Sequence, residues 1–267
     1  MYHTNSIQGR RPYNEDEFDI FTNLDQTVPG KKINYFGLFD GHGGNHVSKY
    51  LKKNLRQYFI TSDIQIEVGK SKSCDKYINK VFDFVQNKLT DYHLPSKATG
   101  STALLSLFYT CNNHNMVKVV NLGDCRTVAC NLDNIAIPLT KDHKPTSFDE
   151  FNRINEMGGQ ITQEKNDDPR INGLAVSRAF GDLDSKPHVS HLPDVYDYDT
   201  RKFKFIIMGC DGIWDVVSNQ DAVDLVLSEM DLAKKDPKVK RNIAAKLTQF
   251  AYDKGSQDNL TVIVIFI

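Results

Sequence analysis

The segment from Ile33 to Asn45 limits what this chain can fold into more than any other, because an aromatic-rich apolar run stops abruptly on an acid, a histidine and three glycines. Tyr35, Phe36, Leu38 and Phe39 show no polar alternation, which suits a strand covered on both faces. Gly41, Gly43 and Gly44 permit a tight exit, so Asp40 and His42 are expected to project from a rigid edge. An Asp-Gly dipeptide is equally a hairpin signal. Beyond Gly44, however, the chain takes up a helical pattern, with Val47, Tyr50, Leu51, Leu55, Tyr58 and Phe59 at three-and-four spacing. The device recurs where Phe203 to Cys210 runs into Asp211-Gly212, with Asp215 four residues on. It returns once more where Gln257-Asp258-Asn259 precedes the apolar run Leu260 to Ile267.

With 267 residues and no Pro-, Ser- or Gly-rich linker, the chain is expected to form one domain spanning 1–267. A net charge of -1 offers no electrostatic footprint for a nucleic acid. The longest apolar runs, Val262 to Ile267 and Ala103 to Tyr109, are too short to cross a bilayer, and the amino terminus lacks signal-peptide and myristoylation patterns. The expectation is a soluble protein of the cytoplasm or nucleus. Cys74, Cys111, Cys125, Cys130 and Cys210 are scattered without a C-x-x-C, so they read as reduced thiols.

Residues 2 to 8 form a possible first strand, followed by Gly9 to Asp16, a cluster of two cations and two carboxylates that is equally a solvated loop. Gly30-Lys31-Lys32 makes a turn pairing Phe18 to Phe21 with Ile33 to Phe39, an antiparallel hairpin that would bring Glu15 and Asp16 to the same end as Asp40. A polar connection from Thr61 to Asp75 precedes a second helix on Ile78, Val81, Phe82, Val85 and Leu89. Strands at Gly100 to Tyr109 and Met116 to Leu122 flank a turn at Asn112 to Asn115. Arg126 to Asn131 and Ile135 to Leu139, turning at Asp133-Asn134, extend that meander. Ser147-x-x-Glu150 reads as a capping box for a helix carrying Phe148, Phe151, Ile154 and Met157, closed by Gly158-Gly159. Gln160 to Pro193 is irregular, and such stretches inside compact domains are usually functional. Ser218-x-x-Asp221 caps a helix through Met230, and Val239, Ile243, Leu247, Phe250 and Ala251 mark the last one.

Glu15, Asp16, Asp40, Asp124, Asp211, Asp215 and Asp258 all fall at strand edges. Several of these converging could not all stay ionised, because like charges raise one another's pKa values. A multivalent cation relieves that repulsion, and oxygen-only donors suit Mg²⁺ or Mn²⁺ better than zinc. His42-x-x-x-His46 is a rival set with zinc-like spacing, but it lacks the glutamate of the zincin pattern.

Eight short motifs then stand in order: Arg11-x-x-x-Glu15-Asp16, Phe39-Asp-Gly-His-Gly-Gly44, Gly100-Ser-Thr-Ala103, Asn121-Leu-Gly-Asp124-Cys-Arg126, Thr140 to Pro145, Leu174 to Asp182, Cys210-Asp-Gly-Ile-Trp-Asp215 and Gly255-Ser-Gln-Asp258-Asn259. Through them the chain resembles the metal-dependent serine/threonine protein phosphatases of type 2C, from about Gly9 to Phe266. The resemblance implies an α+β fold, a four-layer α-β-β-α sandwich of two mixed, mainly antiparallel sheets flanked by helices. It implies a flap-like segment within 144–193, and two Mg²⁺ or Mn²⁺ ions that activate a water to hydrolyse phosphoserine or phosphothreonine.

By the same resemblance Asp40 bridges the ions, with Glu15 and the Gly41 carbonyl at one site and Asp211 and Asp258 at the other. Asp124 and Asp215 supply a weaker third site. Arg11 matches the phosphate-binding arginine, whereas Arg10 reads as a solvated surface residue. His42 matches the general acid, or else a histidine that orients metal-bound water. Cys125 stands where serine is usual and would make that edge oxidisable, while His188 and His191 read as surface residues. The implied partners are phosphorylated proteins, met by a monomer without nucleic-acid or membrane contacts, and control is expected in loops or in other proteins. Two other readings remain. One is a catalytically weak relative serving as a binding or scaffolding module, which would be expected to have lost part of the acid set. The other is the same chemistry on a small phosphorylated metabolite or nucleotide. Acids in the Gln163 to Asn172 stretch, Glu164, Asp167 and Asp168, are expected to recognise substrate.

Overall fold

Strands that are apolar along their whole length need cover on both faces, and this chain provides it by stacking two sheets between helices. The computed structural model describes residues 1–22, 33–59, 71–91, 98–165, 167–235 and 241–267. Strands are numbered β1 to β15 and helices α1 to α6 in chain order. One five-stranded sheet has the order β13 (Asp194–Asp199), β7 (His114–Leu122), β6 (Ala103–Cys111), β3 (Asn34–Phe39) and β2 (Glu17–Phe21). The other runs β1 (Tyr2–Ile7), β15 (Leu260–Phe266), β14 (Phe203–Gly209), β8 (Arg126–Asn131) and β9 (Ala136–Pro138). A small third sheet joins β12 (Phe180–Gly181), β5 (Gly100–Ser101) and β4 (Gly41–His42), and β10 (Ile161–Thr162) pairs with β11 (Arg170–Ile171). Every named strand pair is antiparallel, so the two main sheets are not mixed.

The alternation of β3 divides its side chains between two cores. Phe36 and Leu38 join Val117, Val119, Val128 and Ile207 between the sheets, in a cluster that continues to α5 (Asn219–Lys235) and α6 (Ile243–Asp253). Tyr35 and Phe39 face outward with Leu105, Leu107 and Val120, under α1 (His46–Asn54) and α2 (Ser71–Asp91). The result is the expected four-layer α-β-β-α sandwich, with apolar burial as its main driving force. Lys118, on the outer face, is fully buried and paired with Asp197 of β13 at 2.6 Å and Asp75 of α2 at 3.2 Å, which ties that helix to the sheet.

Several elements depart from the sequence reading. The polar connection ends at Ser71, where α2 begins; its earlier part, and the turn at Gly30-Lys31-Lys32, lie outside the described residues, as does Val239. The strand expected from Gly100 is broken at Thr102 into β5 and β6, and the turn after β6 narrows to Asn112 and Asn113, both at positive φ, between Cys111 and His114. β8 does not extend the meander: after β7 the chain crosses at Gly123 to Cys125 into the opposite sheet, where β8 pairs with β14. α3 (Phe148–Glu156) starts at Ser147, but the expected box is not made. The Ser147 hydroxyl donates to the Asp142 carbonyl, and Glu150 accepts from Arg153 and Arg178. Of the apolar set on α3 only Ile154 is buried; Phe148, Phe151 and Met157 are exposed. The cap expected at Ser218 is formed, with Asp221 N–H donating to the Ser218 hydroxyl.

Candidate metal centre

The strand registers bring the acids to one end of the sandwich. Glu17 pairs with Phe39 and Leu38 with Leu104, while Ala103 opposes Leu122, so the start of β2 and the ends of β3 and β7 lie together. In the other sheet Ile7 opposes Leu260, and Gly209 opposes both Val262 and Arg126, which places the ends of β1 and β14 beside the starts of β15 and β8. Asp40, Asp124, Asp211 and Asp258 are the residues just beyond these strand ends, or just before them. A cleft of about 280 Å³ is lined by Arg11, Glu15, Asp40, Gly41, His42, Asp124, Asp211, Asp215 and Asp258, together with Thr102, Asp168 and Arg170. The nine residues that the resemblance assigns to the metal and phosphate site all line it.

Local structure positions the backbone that carries several of these acids. The backbone N–H of Asp40 donates to the Thr102 hydroxyl at 3.0 Å, and Thr102 N–H donates back to the Asp40 carbonyl at 2.9 Å. Asp211 does not turn a hairpin; it opens the four-residue α4 (Asp211–Trp214). A side chain at Gly212 would overlap the Asn259 carbonyl, so glycine is what lets the Asp211 and Asp258 segments meet. Asn259 organises the amino-terminal loop, accepting from Glu15 N–H and donating to the carbonyls of Gln8 and Tyr13. Ser48 of α1 donates to the Glu15 carbonyl at 2.6 Å. Arg11 donates to Asp258 at 2.6 Å while remaining half exposed at the cleft mouth. Arg10 is exposed, as expected, with its guanidinium 4.2 Å from the Tyr252 ring centre.

Burial and mutual repulsion move Asp40, Asp124 and Asp211 in the expected direction. Desolvation first, then neighbouring carboxylates, push Asp40 well above the ordinary range and Asp211 up to about 6, although both keep some surface open to the cleft. Asp124 is also pushed well above its ordinary value, by burial first. Both Asp124 carboxylate oxygens are buried without a hydrogen-bond partner, and the cation that faces them is Lys144, whose Nζ is 3.9 Å away and 3.3 Å from Asp215. Carboxylates left this way fit an oxygen-preferring dication.

Asp16 belongs to the acid group by its place in the sequence, but the resemblance gives it no part as a ligand. It is buried, accepts from the Thr261 hydroxyl at 2.6 Å, leaves Oδ1 without a partner, and is raised to about 7, chiefly by burial. It offers one ligand atom, with Asp40 and Cys210, within a 4.8 Å group, the one such group found among the described residues. The Cys210 thiol is pushed well above its ordinary value by burial and by Asp16 and Asp40, so the carboxylates suit a hard cation better than this sulfur does. His46 does not line the cleft, and the one metal-holding group found among the described residues contains neither His42 nor His46, which removes the histidine pair as a zinc set. Cys125 is buried against the Thr102 hydroxyl and held strongly in its thiol form, which removes the reason to expect oxidation there. His188 and His191 also lie outside the cleft, the latter bonded to Asp83 of α2.

The family model for protein phosphatase 2C matches residues 1–260. A probable protein phosphatase 2C 11 of Arabidopsis thaliana is 37% identical over 266 residues, covering 99% of this chain and 66% of that protein. A probable protein phosphatase 2C 45 of Oryza sativa subsp. japonica is 36% identical over 262 residues, with 97% and 85% covered. A serine-threonine phosphatase 2C from Toxoplasma gondii superposes with a TM-score of 0.81 at 26% identity, over 99% of this chain and 94% of that one. This chain belongs to the protein phosphatase 2C family, whose members are metal-dependent. It spans about two thirds of the length of several of the curated relatives it matches.

Proposed function

We propose that the chain is a metal-dependent phosphatase acting on phosphoserine and phosphothreonine in proteins. The observation that carries this reading is the convergence on one cleft of acids too close to ionise together, with an arginine and a histidine at its mouth. Glu15, Asp40 and the Gly41 carbonyl would hold one Mg²⁺ or Mn²⁺, and Asp40, Asp211 and Asp258 a second; Asp124 and Asp215 would hold a weaker third. Bound cations supply a water of lowered pKa and neutralise phosphate charge. The remaining work falls to the protein. Arg11 presents a planar guanidinium to the phosphate oxygens. Thr102 and Ser48 hold the Asp40 and Glu15 backbones in place, so little reorganisation is needed when phosphate arrives. His42, on β4 at the cleft wall, gives a proton to the seryl or threonyl oxygen as its bond to phosphorus breaks.

The test compares a phosphothreonine peptide, a phosphorylated sugar and a nucleoside monophosphate, each with Mn²⁺ and with EDTA. Hydrolysis of the peptide that stops in EDTA is expected. Activity that persists in EDTA, or that favours either small ester, would overturn the reading.

A further inference from the structure

The stretch from Leu174 to Asp182 has supplied no acid to the cation site, yet it ends on a carboxylate with a specific partner. Asp182 is 2% exposed at its side chain, and its Oδ2 lies 2.8 Å from Nε2 of His42. We propose that Asp182 is the positioning residue for His42, fixing the ring so that Nδ1, and not Nε2, is the nitrogen that serves the cleft. This rests on the reading of His42 as proton donor.

The small three-stranded sheet is built around that pair. Gly100 of β5 stands opposite His42 of β4 on one side and Gly181 of β12 on the other. A side chain at Gly100 would overlap both the Asp182 carboxylate and the His42 ring, so the pair closes only over a glycine. Asp182 itself adopts a left-handed backbone, φ 47° and ψ 47°, which Asp and Asn tolerate better than most residues. Its backbone is held on both sides, with its N–H donating to the Thr99 carbonyl and its carbonyl accepting from Ser185 N–H. Buried Gln86 of α2 clamps the preceding Gly181 by both its N–H and its carbonyl. Strand pairing, the glycine, the left-handed turn and the clamps on either side thus converge on one contact.

The contact decides which nitrogen acts. A carboxylate only accepts, so Nε2 directs its hydrogen to Asp182. In the protonated ring the hydrogen free to move is therefore on Nδ1. As the phosphorus–oxygen bond breaks, its electron pair takes the Nδ1 proton, and the imidazole is left neutral with the Nε2 hydrogen still shared with Asp182. A third group orienting the acid–base residue in this way is a recurring arrangement in enzymes.

The test uses the full chain in saturating Mn²⁺, with a phosphothreonine peptide, whose leaving oxygen needs a proton, and p-nitrophenyl phosphate, whose leaving group does not. Asp182→Gly removes the carboxylate and accepts the left-handed backbone. It is expected to lower kcat on the peptide about 10- to 100-fold with KM nearly unchanged, and to lower the aryl ester less than about threefold. Asp182→Asn, which keeps an acceptor oxygen, is expected to recover part of the loss. His42→Ala should show the same substrate split, and the double variant should be no worse than His42→Ala alone. In ¹⁵N spectra of the metal-free protein, neutral His42 is expected as the Nε2–H tautomer, becoming mixed in Asp182→Gly. Equal losses on both substrates in Asp182→Gly, or no loss on either, would overturn the positioning role while a split in His42→Ala still upheld the proton donor. Absence of the split in His42→Ala would overturn the donor reading and this proposal with it, and an Nδ1–H tautomer in the parent protein would overturn the proposal alone.

Discussion

Asp16 and Asp211 show how a site can work against the fold that carries it. Each carboxyl titrates near 3.8 when unperturbed, but at about 7 and about 6 respectively in the folded chain. Between roughly pH 4 and 7 the folded state therefore holds more protons than the unfolded state, and stability falls as pH rises through that window. Asp40 and Asp124 push in the same direction. Glu150 is shifted the other way by Arg178 and Arg153, so its contribution is complete above the ordinary carboxyl range and is lost below it. The melting temperature of the metal-free protein is expected to drop by at least about 2 °C between pH 5 and pH 7.5. Calorimetry in EDTA checks this, and a rise over that interval would mean that the acids are not crowded in the way described.

At the scale of elements, α3 is anchored by charge where its sequence suggested apolar packing. Glu150 is buried and accepts from Arg178 at 2.6 Å and from Arg153 at 2.8 Å, and Arg178 also reaches Asp194 at 2.9 Å. Glu150→Ala leaves two arginines short of a partner and is expected to cost about 3 kcal/mol in urea unfolding. Phe148 is 79% exposed, so Phe148→Ser is expected to change stability by less than about 0.5 kcal/mol. A large loss in Phe148→Ser would restore the apolar anchoring that the spacing implied. Beyond α3, the β10–β11 hairpin brings Asp168 and Arg170 to the cleft, while Asp167 is tied to Arg170 at 2.9 Å. Of the acids expected to recognise substrate, Asp168 is thus the one placed on the cleft wall. Asp168→Asn is expected to shift kcat/KM between basic and acidic phosphopeptides severalfold while sparing p-nitrophenyl phosphate. A proportional loss on all three would assign the hairpin to support of the site itself.

At the scale of the whole molecule, one cleft couples both sheets, since its acids hang from the ends of strands in each. A cation held by these acids would favour the folded chain, the state in which acids from both sheets lie together. At a concentration 100 times its dissociation constant, Mn²⁺ is expected to stabilise the protein by about 2.7 kcal/mol, an increment that EDTA should reverse. Denaturant unfolding with and without Mn²⁺ measures it. An unchanged midpoint would count against the cation site irrespective of any activity assay.

The apolar strands, the acids at their ends, the paired helices and the order of the motifs were legible in the sequence, because hydrophobic period and turn chemistry are local properties. Which sheet each strand joins was not. Gly123 to Cys125 reads like one more tight turn, yet the chain there leaves one sheet for the other, and the deciding interactions are the pairing of β8 with β14 and the packing between the sheets. The same limit applies to side chains whose partners are remote. Ser147 and Glu150 have the spacing of a capping box, but Arg178, 28 residues away, offers Glu150 a charged partner and takes it. Asp182 stands in plain view as the last residue of a motif, and its contact with His42, 140 residues earlier, exists only because a three-stranded sheet carries a glycine between them. Residue types and spacing determined what chemistry the chain could support, while tertiary structure decided which groups share one desolvated space, because burial and charge coupling depend on distance in space and not along the chain.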